Sequence, residues 1–352
     1  VVVAGRPSLA ESAAFTVDAL AALNAALPDA TFLPVLRRGN VHGALDMGLA
    51  PGLAPGRVAL ADCSDYLRSA WGGVPATRGL DAAGMLEAAA SGRLRCLVLL
   101  GADPLADFPD RDLARRALAG TTVIAVDTFL TDSSRHADVV LAAAGFAEKA
   151  GTTTNLEGRV SSLTQKVTPR GTSRADWAIA AELASRLGAD FAFSSVDDVT
   201  AEIARVAPSH ATVTPEALRS HRDGVVAAGQ LMVDVVDAAT QAPVPNAYDH
   251  RLVVNRKLYD AGAAVAQSPS LAALAPGAAL TLHPLDLDRL GVAAGASVKV
   301  ISPRTTITMP VQSSTTVPRG IAWVAFNQPN VAIADMLDVD EAITDVRVET
   351  LR

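Results

Sequence analysis

The feature that most constrains this chain is the alternation of short apolar runs with amphipathic stretches between Asp81 and Asp127. Arg95 to Leu100 and Thr122 to Val126 are apolar runs of strand length, and between them Asp110 or Arg111 opens a periodic stretch reaching Ala119. Asp81 stands where a helix running to Ala90 would be capped. Strands joined through helices predict crossover connections and therefore a parallel sheet. The chain opens in the same way. Val1 to Gly5 reads as a buried parallel strand, Ser8 with Glu11 as the capping box of a helix to about Ala26, and Thr31 to Leu36 as a second strand. Half the residues are hydrophobic but only 4% are aromatic, so the core must be filled by Ala, Val and Leu, which suits close packing of helix on sheet. The fold class expected is α/β, a doubly wound, mostly parallel, Rossmann-like sheet.

A chain of 352 residues exceeds one ordinary domain. Helices are expected over Arg174 to Leu187, Val196 to Val206 and Pro215 to Ala227. The stretch Gln241 to Tyr248, with Pro243, Pro245 and Asn246, reads as a linker. Beyond it, short β runs (Ala279 to Leu282, Ser297 to Ser302, Thr306 to Gln312, Ile321 to Phe326, Val346 to Leu351) are separated by Gly, Pro and Asn and predict a small C-terminal β-barrel. The expected units are 1–240 and 241–352. The glycine-rich segment 38–48 is too broken for a regular element.

Several function classes are disfavoured. Net charge is −7, and the one basic pair near a turn, Arg37-Arg38, is too small for a phosphate track, so no nucleic-acid partner is expected. Two cysteines exclude a disulfide scaffold and a thiolate cluster. Cys96 reads as a buried strand residue and Cys63 as structural. Six scattered histidines form no zinc pattern. Ser133, Ser134, His136 and Asp138 are too close in sequence to converge as a triad, and no G-x-S-x-G elbow is present. No run reaches the ~18–20 apolar residues of a membrane span, the nearest being Val225 to Val236. No charged segment precedes an apolar one at the start, so no signal peptide is expected, and an opening directly on a strand suggests a piece of a longer polypeptide. His283-Pro284 with Asp286 reads as the beginning of a short helix.

Ligands of parallel sheets lie beyond the carboxyl ends of the strands, which places Gly101, Asp103 and Asp127 where a nucleotide would be held, although Gly101 to Pro104 lacks the G-x-G-x-x-G spacing. Glu148 to Arg159 packs Gly151, Gly158, Thr152 and Asn155 among opposed charges. It reads either as a surface hairpin pinned by salt bridges or as the wall of a cofactor cradle or subunit interface.

Four segments together resemble the molybdopterin oxidoreductase superfamily: GNVHGALDMG (39–48), GADP with PDRDLARRAL (101–118), DTFLTDSSRHADVVLAAA through EKAGTTTNLEGRV (127–160) and LTLHPLDLDRLGVAAGASVKV (280–300). Within it the chain is most similar to the large iron–sulfur subunit of NADH-quinone oxidoreductase, which is respiratory complex I. The alternative is a molybdenum or tungsten formate dehydrogenase, which tends to carry a bulkier basic residue where Gly158 stands. The resemblance implies that Gly101, Asp103, Asp127, Gly151, Thr152 and Asn155 surround a pterin-nucleotide pocket. Because the barrel lacks a Gly-containing hairpin near Thr305 and a longer polar loop around Asn330, that pocket is expected to be vestigial. It implies no catalytic residue and no metal ligand in this chain. Iron–sulfur clusters of the 2Fe-2S and 4Fe-4S kinds are expected upstream, and molybdopterin guanine dinucleotide only under the alternative. The partners it implies are other peripheral-arm subunits of complex I, at the cytoplasmic side of the cell membrane.

Overall fold

The computed structural model describes residues 1–36, 38–228, 250–338 and 341–351. Cys96–Leu100, Thr122–Asp127 and Val139–Ala142 form a parallel sheet with Thr122–Asp127 in the centre. Helices Ala82–Ala90 and Arg111–Gly120 cover one face. Leu86, Ala89, Leu113, Ala114, Ala117 and Leu118 pack there on Leu97, Leu99, Val123 and Ala125, so small side chains let the layers approach closely. Both helices start where the caps predict: Asp81 Oδ1 accepts from Gly84 N at 2.9 Å and Asp110 Oδ1 from Leu113 N at 2.9 Å. On the other face, Asp176–Arg186 brings Ile179 against Val126 and Ala143.

Cys96 is exposed, contrary to the expectation of burial. Along Cys96–Leu100 the residues alternate between faces, and only the helix-covered face is buried, leaving Val98 50% and Leu100 64% exposed. A continuous apolar run therefore marks the strand without showing that both its faces are covered. Cys63 is fully buried, its thiol donating to Leu60 O at 3.1 Å.

Val2–Ala4 and Phe32–Pro34 pair in parallel around helix Ala13–Ala26, as expected, but Val1 and Val3 are exposed and the helix buries no residue. Its cap is Ser12, whose Oγ accepts from Phe15 N at 3.1 Å, and not Ser8. Ser8 is buried, and its Oγ accepts from Ala10 N and from Val254 N at 3.0 Å each. With Leu9 N donating to Val254 O at 2.7 Å and Thr344 N to Ala10 O at 2.9 Å, residues 8–12 form a strap on the barrel.

That barrel is closed, in the order His250–Asn255, Ile321–Ala325, Leu280–Leu282, Thr306–Ser313, Ser297–Ile301, Asp345–Thr350. Alternate residues fill it, among them Leu252, Val254, Leu280, Leu282, Val298, Val300, Val311, Val324 and Val348. Five of its strands match expected β runs. The sixth, His250–Asn255, carries no such signal in the sequence, because its polar ends follow directly on the expected linker; that linker and the expected boundary at 240 lie outside the described residues.

Gly151–Thr154 and Arg159–Leu163 form an antiparallel hairpin, joined by Val225–Val226. The helix expected to reach Ala227 stops at Ser220, and its last residues become that third strand. The segment expected to be irregular contains a short helix, Val41–Asp46, entered through Asn40 in the left-handed region at φ 62°. Asparagine tolerates that conformation, so glycine content alone misjudges the segment. No helix among the described residues is long and apolar enough to cross a membrane.

A forked ion pair clasps the α/β unit to the barrel. Arg304 NH1 donates to Asp110 Oδ2 at 2.7 Å, NH2 to Asp110 Oδ1 at 2.8 Å, and NH1 also to Leu337 O at 3.0 Å. Burial raises the Asp110 carboxyl, but Arg304 and the Leu113 amide outweigh it and hold the group below its usual range. The clasp therefore contributes stability above the ordinary carboxylate range and loses it as pH falls through the depressed value. Replacing Arg304 with Ala is expected to remove about 2–3 kcal/mol and lower the calorimetric midpoint by roughly 4–8 °C. Arg304→Lys, which keeps the charge without the fork, should recover less than half of that. In thiol titration of this chain, Cys96 should react rapidly and Cys63 only on unfolding, with Cys96→Ser abolishing the fast phase.

Candidate nucleotide-binding trough

At the carboxyl ends of the parallel strands lies an open cavity of about 890 Å³. Gly101, Asp103 and Asp127 come from the sheet, Arg38 from the segment before Val41, Glu148 and Lys149 from the hairpin approach, Arg170 from the turn beyond it, and Gly262 from the barrel side. A second cavity of about 400 Å³ continues from it, sharing Asp103, Ala106, Thr131 and Ala263. Its barrel side carries the amides Asn327, Gln328 and Asn330.

Most charges along this trough are already committed. Asp103 Oδ1 accepts from Ser133 Oγ at 2.5 Å, and Ser133 Oγ in turn accepts from Leu105 N at 3.0 Å, which fixes the loop after strand Cys96–Leu100. Asp107 accepts from Arg38 at 3.1 Å and from Arg256 at 2.5 Å. Glu148 Oε2 accepts from Gly145 N at 2.8 Å, and Lys149 is paired with Asp176. In the first cavity two groups stand apart. Asp127 uses Oδ1 to accept from Thr128 N at 2.7 Å, while Oδ2 makes no hydrogen bond among the described residues. Arg170 makes no ion pair among them. Phe129, Phe146 and Val167 add apolar surface at the rim.

The residues singled out from sequence thus divide. Gly101, Asp103 and Asp127 meet in one cavity. Gly151, Thr152 and Asn155 lie on the hairpin and are not among the residues lining it. Asn155 closes the turn instead, its Oδ1 accepting from Glu157 N at 2.9 Å and Arg159 N at 3.0 Å. Gly158 sits at φ 76°, where a glycine is favoured, whereas Gly151 has open space around it. Arg170 and the amides at 327–330 escape recognition in the sequence, since nothing local marks a residue whose neighbours arrive from another unit. Among the described residues no three metal-ligating side chains stand together.

Hairpin and helix Val41–Asp46 are tied by Asn40 Oδ1, which accepts from Thr154 N at 2.8 Å. A Cβ at Gly43 would collide with that Asn40 amide and lie 3.1 Å from Thr154 Oγ1. Gly→Ala inside an exposed helix ordinarily stabilises by about 1 kcal/mol. Here Gly43→Ala is expected to reverse that sign and cost roughly 1–3 kcal/mol in chemical denaturation, because the Thr154 amide loses its acceptor or the packing shifts.

The trough is lined by both units, and buried donors without partners, Asn327 Nδ2 and Arg111 Nε, lie on residues of its second lobe. These features fit an extended ligand rich in acceptors, as a dinucleotide is.

Residues 14–186 match the family model described as molybdopterin oxidoreductase, and residues 251–346 the molydopterin dinucleotide binding domain. The NADPH-Fe(3+) oxidoreductase subunit alpha of Geobacter sulfurreducens is 30% identical over 90% of this chain and 37% of its own length. A G-type subunit of the NADH-quinone oxidoreductase of Rhizobium meliloti is 31% identical over 82% of this chain and 34% of its own length. The F420-dependent formate dehydrogenase 1 subunit alpha of Methanococcus maripaludis is 28% identical over 84% of this chain and 47% of its own length. The chain thus spans between a third and a half of these relatives. Acetylene hydratase from Pelobacter acetylenicus shares the fold, with a TM-score of 0.59 over 76% of this chain and 46% of its own, at 14% identity.

Proposed function

Because the chain belongs to the molybdopterin oxidoreductase family, we propose that it is the dinucleotide-holding part of a nicotinamide-linked oxidoreductase, of the kind formed by the large iron–sulfur subunit of NADH-quinone oxidoreductase. The observation that carries this reading is Asp127, placed at the carboxyl end of the central strand with one carboxylate oxygen uncommitted in the residues that line the trough. Such an oxygen accepts hydrogen bonds from a base or a ribose. Arg170, supported by Arg38, offers charge-assisted donors to phosphate oxygens, and Phe129 and Phe146 add apolar surface at the rim. A molybdopterin-type dinucleotide supplies, when bound, a metal centre for electron transfer. The chain's own part is to bind and orient. In this reading the trough is a working site and not a vestige.

Iron–sulfur clusters and the partners of a peripheral electron-transfer arm belong to the same proposal, as does association with the cytoplasmic face of a membrane. A second reading, a formate dehydrogenase, is favoured by the F420-dependent formate dehydrogenases of Methanococcus maripaludis and Methanocaldococcus jannaschii, each 28% identical and matching 84% and 90% of this chain. Whole protein purified from its native source should release about one or two pterin nucleotides per chain on acid oxidation, read by fluorescence. Molybdenum or tungsten should be present in mass spectrometry. Absence of both overturns the proposal. Asp127→Ala should lower pterin-nucleotide retention by roughly 10-fold or more. Formate-driven reduction of a viologen dye decides for the second reading, and NADH-driven reduction without it for the first.

A further inference from the structure

Segment 38–48 is supported from behind by a buried cluster that the trough does not use. Arg57 pairs through Nε with Asp46, and its NH2 donates to His42 Nδ1 at 2.8 Å and to His42 O at 3.0 Å. The other oxygen of Asp46 faces His210 Nε2 at 3.8 Å, and His210 Nδ1 lies 2.9 Å from Ser209 Oγ. Asp46 is only 5% exposed and His210 3%.

The hydrogen bonds dictate protonation. Guanidinium can only donate, so His42 Nδ1 is an acceptor and its ring is neutral, with the proton on Nε2. That Nε2 is buried without a hydrogen-bond partner among the described residues. A proton added to His42 would turn the acceptor into a donor aimed at Arg57 and set two cations in contact. A proton added to His210 would make a second cation competing with Arg57 for Asp46. Burial lowers both imidazoles from their ordinary range. At each, the charge of Arg57 lowers it further and Asp46 opposes.

Among the described residues, the elements packed around the cluster add no other charge to it. Tyr66, on helix Ser64–Trp71, turns its hydroxyl to Pro55 O at 2.9 Å. Ser209 is neutral, and helix Val196–Val206 contributes the apolar Val206 while its Glu202 pairs outward with Arg205.

The cluster is mechanically connected to the trough. His42 and Asp46 lie on helix Val41–Asp46, Gly56 N donates to Asp46 O at 2.7 Å, and Asn40 at the head of the helix holds the hairpin through Thr154. Two residues before Asn40, Arg38 lines the trough and pairs with Asp107.

We propose that His42, Asp46, Arg57 and His210 form a proton-operated latch, closed at neutral pH to hold segment 38–48 against the hairpin and opened by acid to free Arg38 from the trough. The sign follows from linkage. Both folded-state values lie below the unfolded histidine value, so the open state binds more protons, and the latch's stability is full above the ordinary histidine range and declines as pH falls through it.

Hydrogen exchange read by mass spectrometry on the full chain at about pH 7.5 and 5.5, corrected for intrinsic rates, tests this. Amides 41–47 should lose protection by at least ~10-fold in acid, while barrel strand Ser297–Ile301 holds. The variant His42→Gln/His210→Gln should flatten that pH dependence. If the double variant does not fold, His42→Gln and His210→Gln separately must each reduce it. Full protection of 41–47 at the acid pH, or variants that lose it as steeply as the parent, overturns the latch. No cofactor enters the readout, so the outcome is independent of the oxidoreductase reading.

Discussion

The structure depends on the fork between Arg304 and Asp110. One carboxylate does two jobs: it caps helix Arg111–Gly120 through Leu113 N and receives both terminal nitrogens of an arginine from the barrel hairpin. The helix that covers the parallel sheet and the unit that faces its ligand end are thus oriented by the same group. A bidentate pair fixes angle as well as distance, which a lysine at that place could not do. The trough exists only while this angle holds, because its two walls come from different units. Arg256 adds a second tie, bonded to Asp107 and stacked 4.7 Å over Phe326, and Asp107 passes the connection on to Arg38.

What is legible in the sequence is local. Asp81 and Asp110 cap the helices whose starts they mark, Val196–Val206 has the bounds expected for it, and the short β runs mark five of six barrel strands. These signals are carried by residues within one turn of each other. Two of the misses share one cause, a partner distant in sequence. Ser8 reads as a cap until Val254 is seen to claim its hydroxyl, and Cys96 reads as buried until the sheet is seen to be covered beside Leu97 and Leu99 alone.

The site divides along the same line. Asp103 and Asp127 follow from a topological rule that needs only strand ends. Arg170 and the amides at 327–330 reach the trough through tertiary packing and leave no local trace. Asn155, notable for its place in a motif, spends its side chain on the hairpin turn, and this is why the charged loop around it contributes shape more than contact.

The strap at residues 8–12 carries a consequence for how the molecule comes into being. Ser8 and Val254 are 246 positions apart, so the barrel seals one side with a piece of chain made long before the barrel itself. At ~5–20 residues per second, that piece leaves the ribosome on the order of tens of seconds before its partner strand. Ala10, which ends inside the barrel core, spends that interval without its apolar surroundings. The closure of such a distant loop is slow and comes late, so the strap returns to a wall not yet built when it emerged.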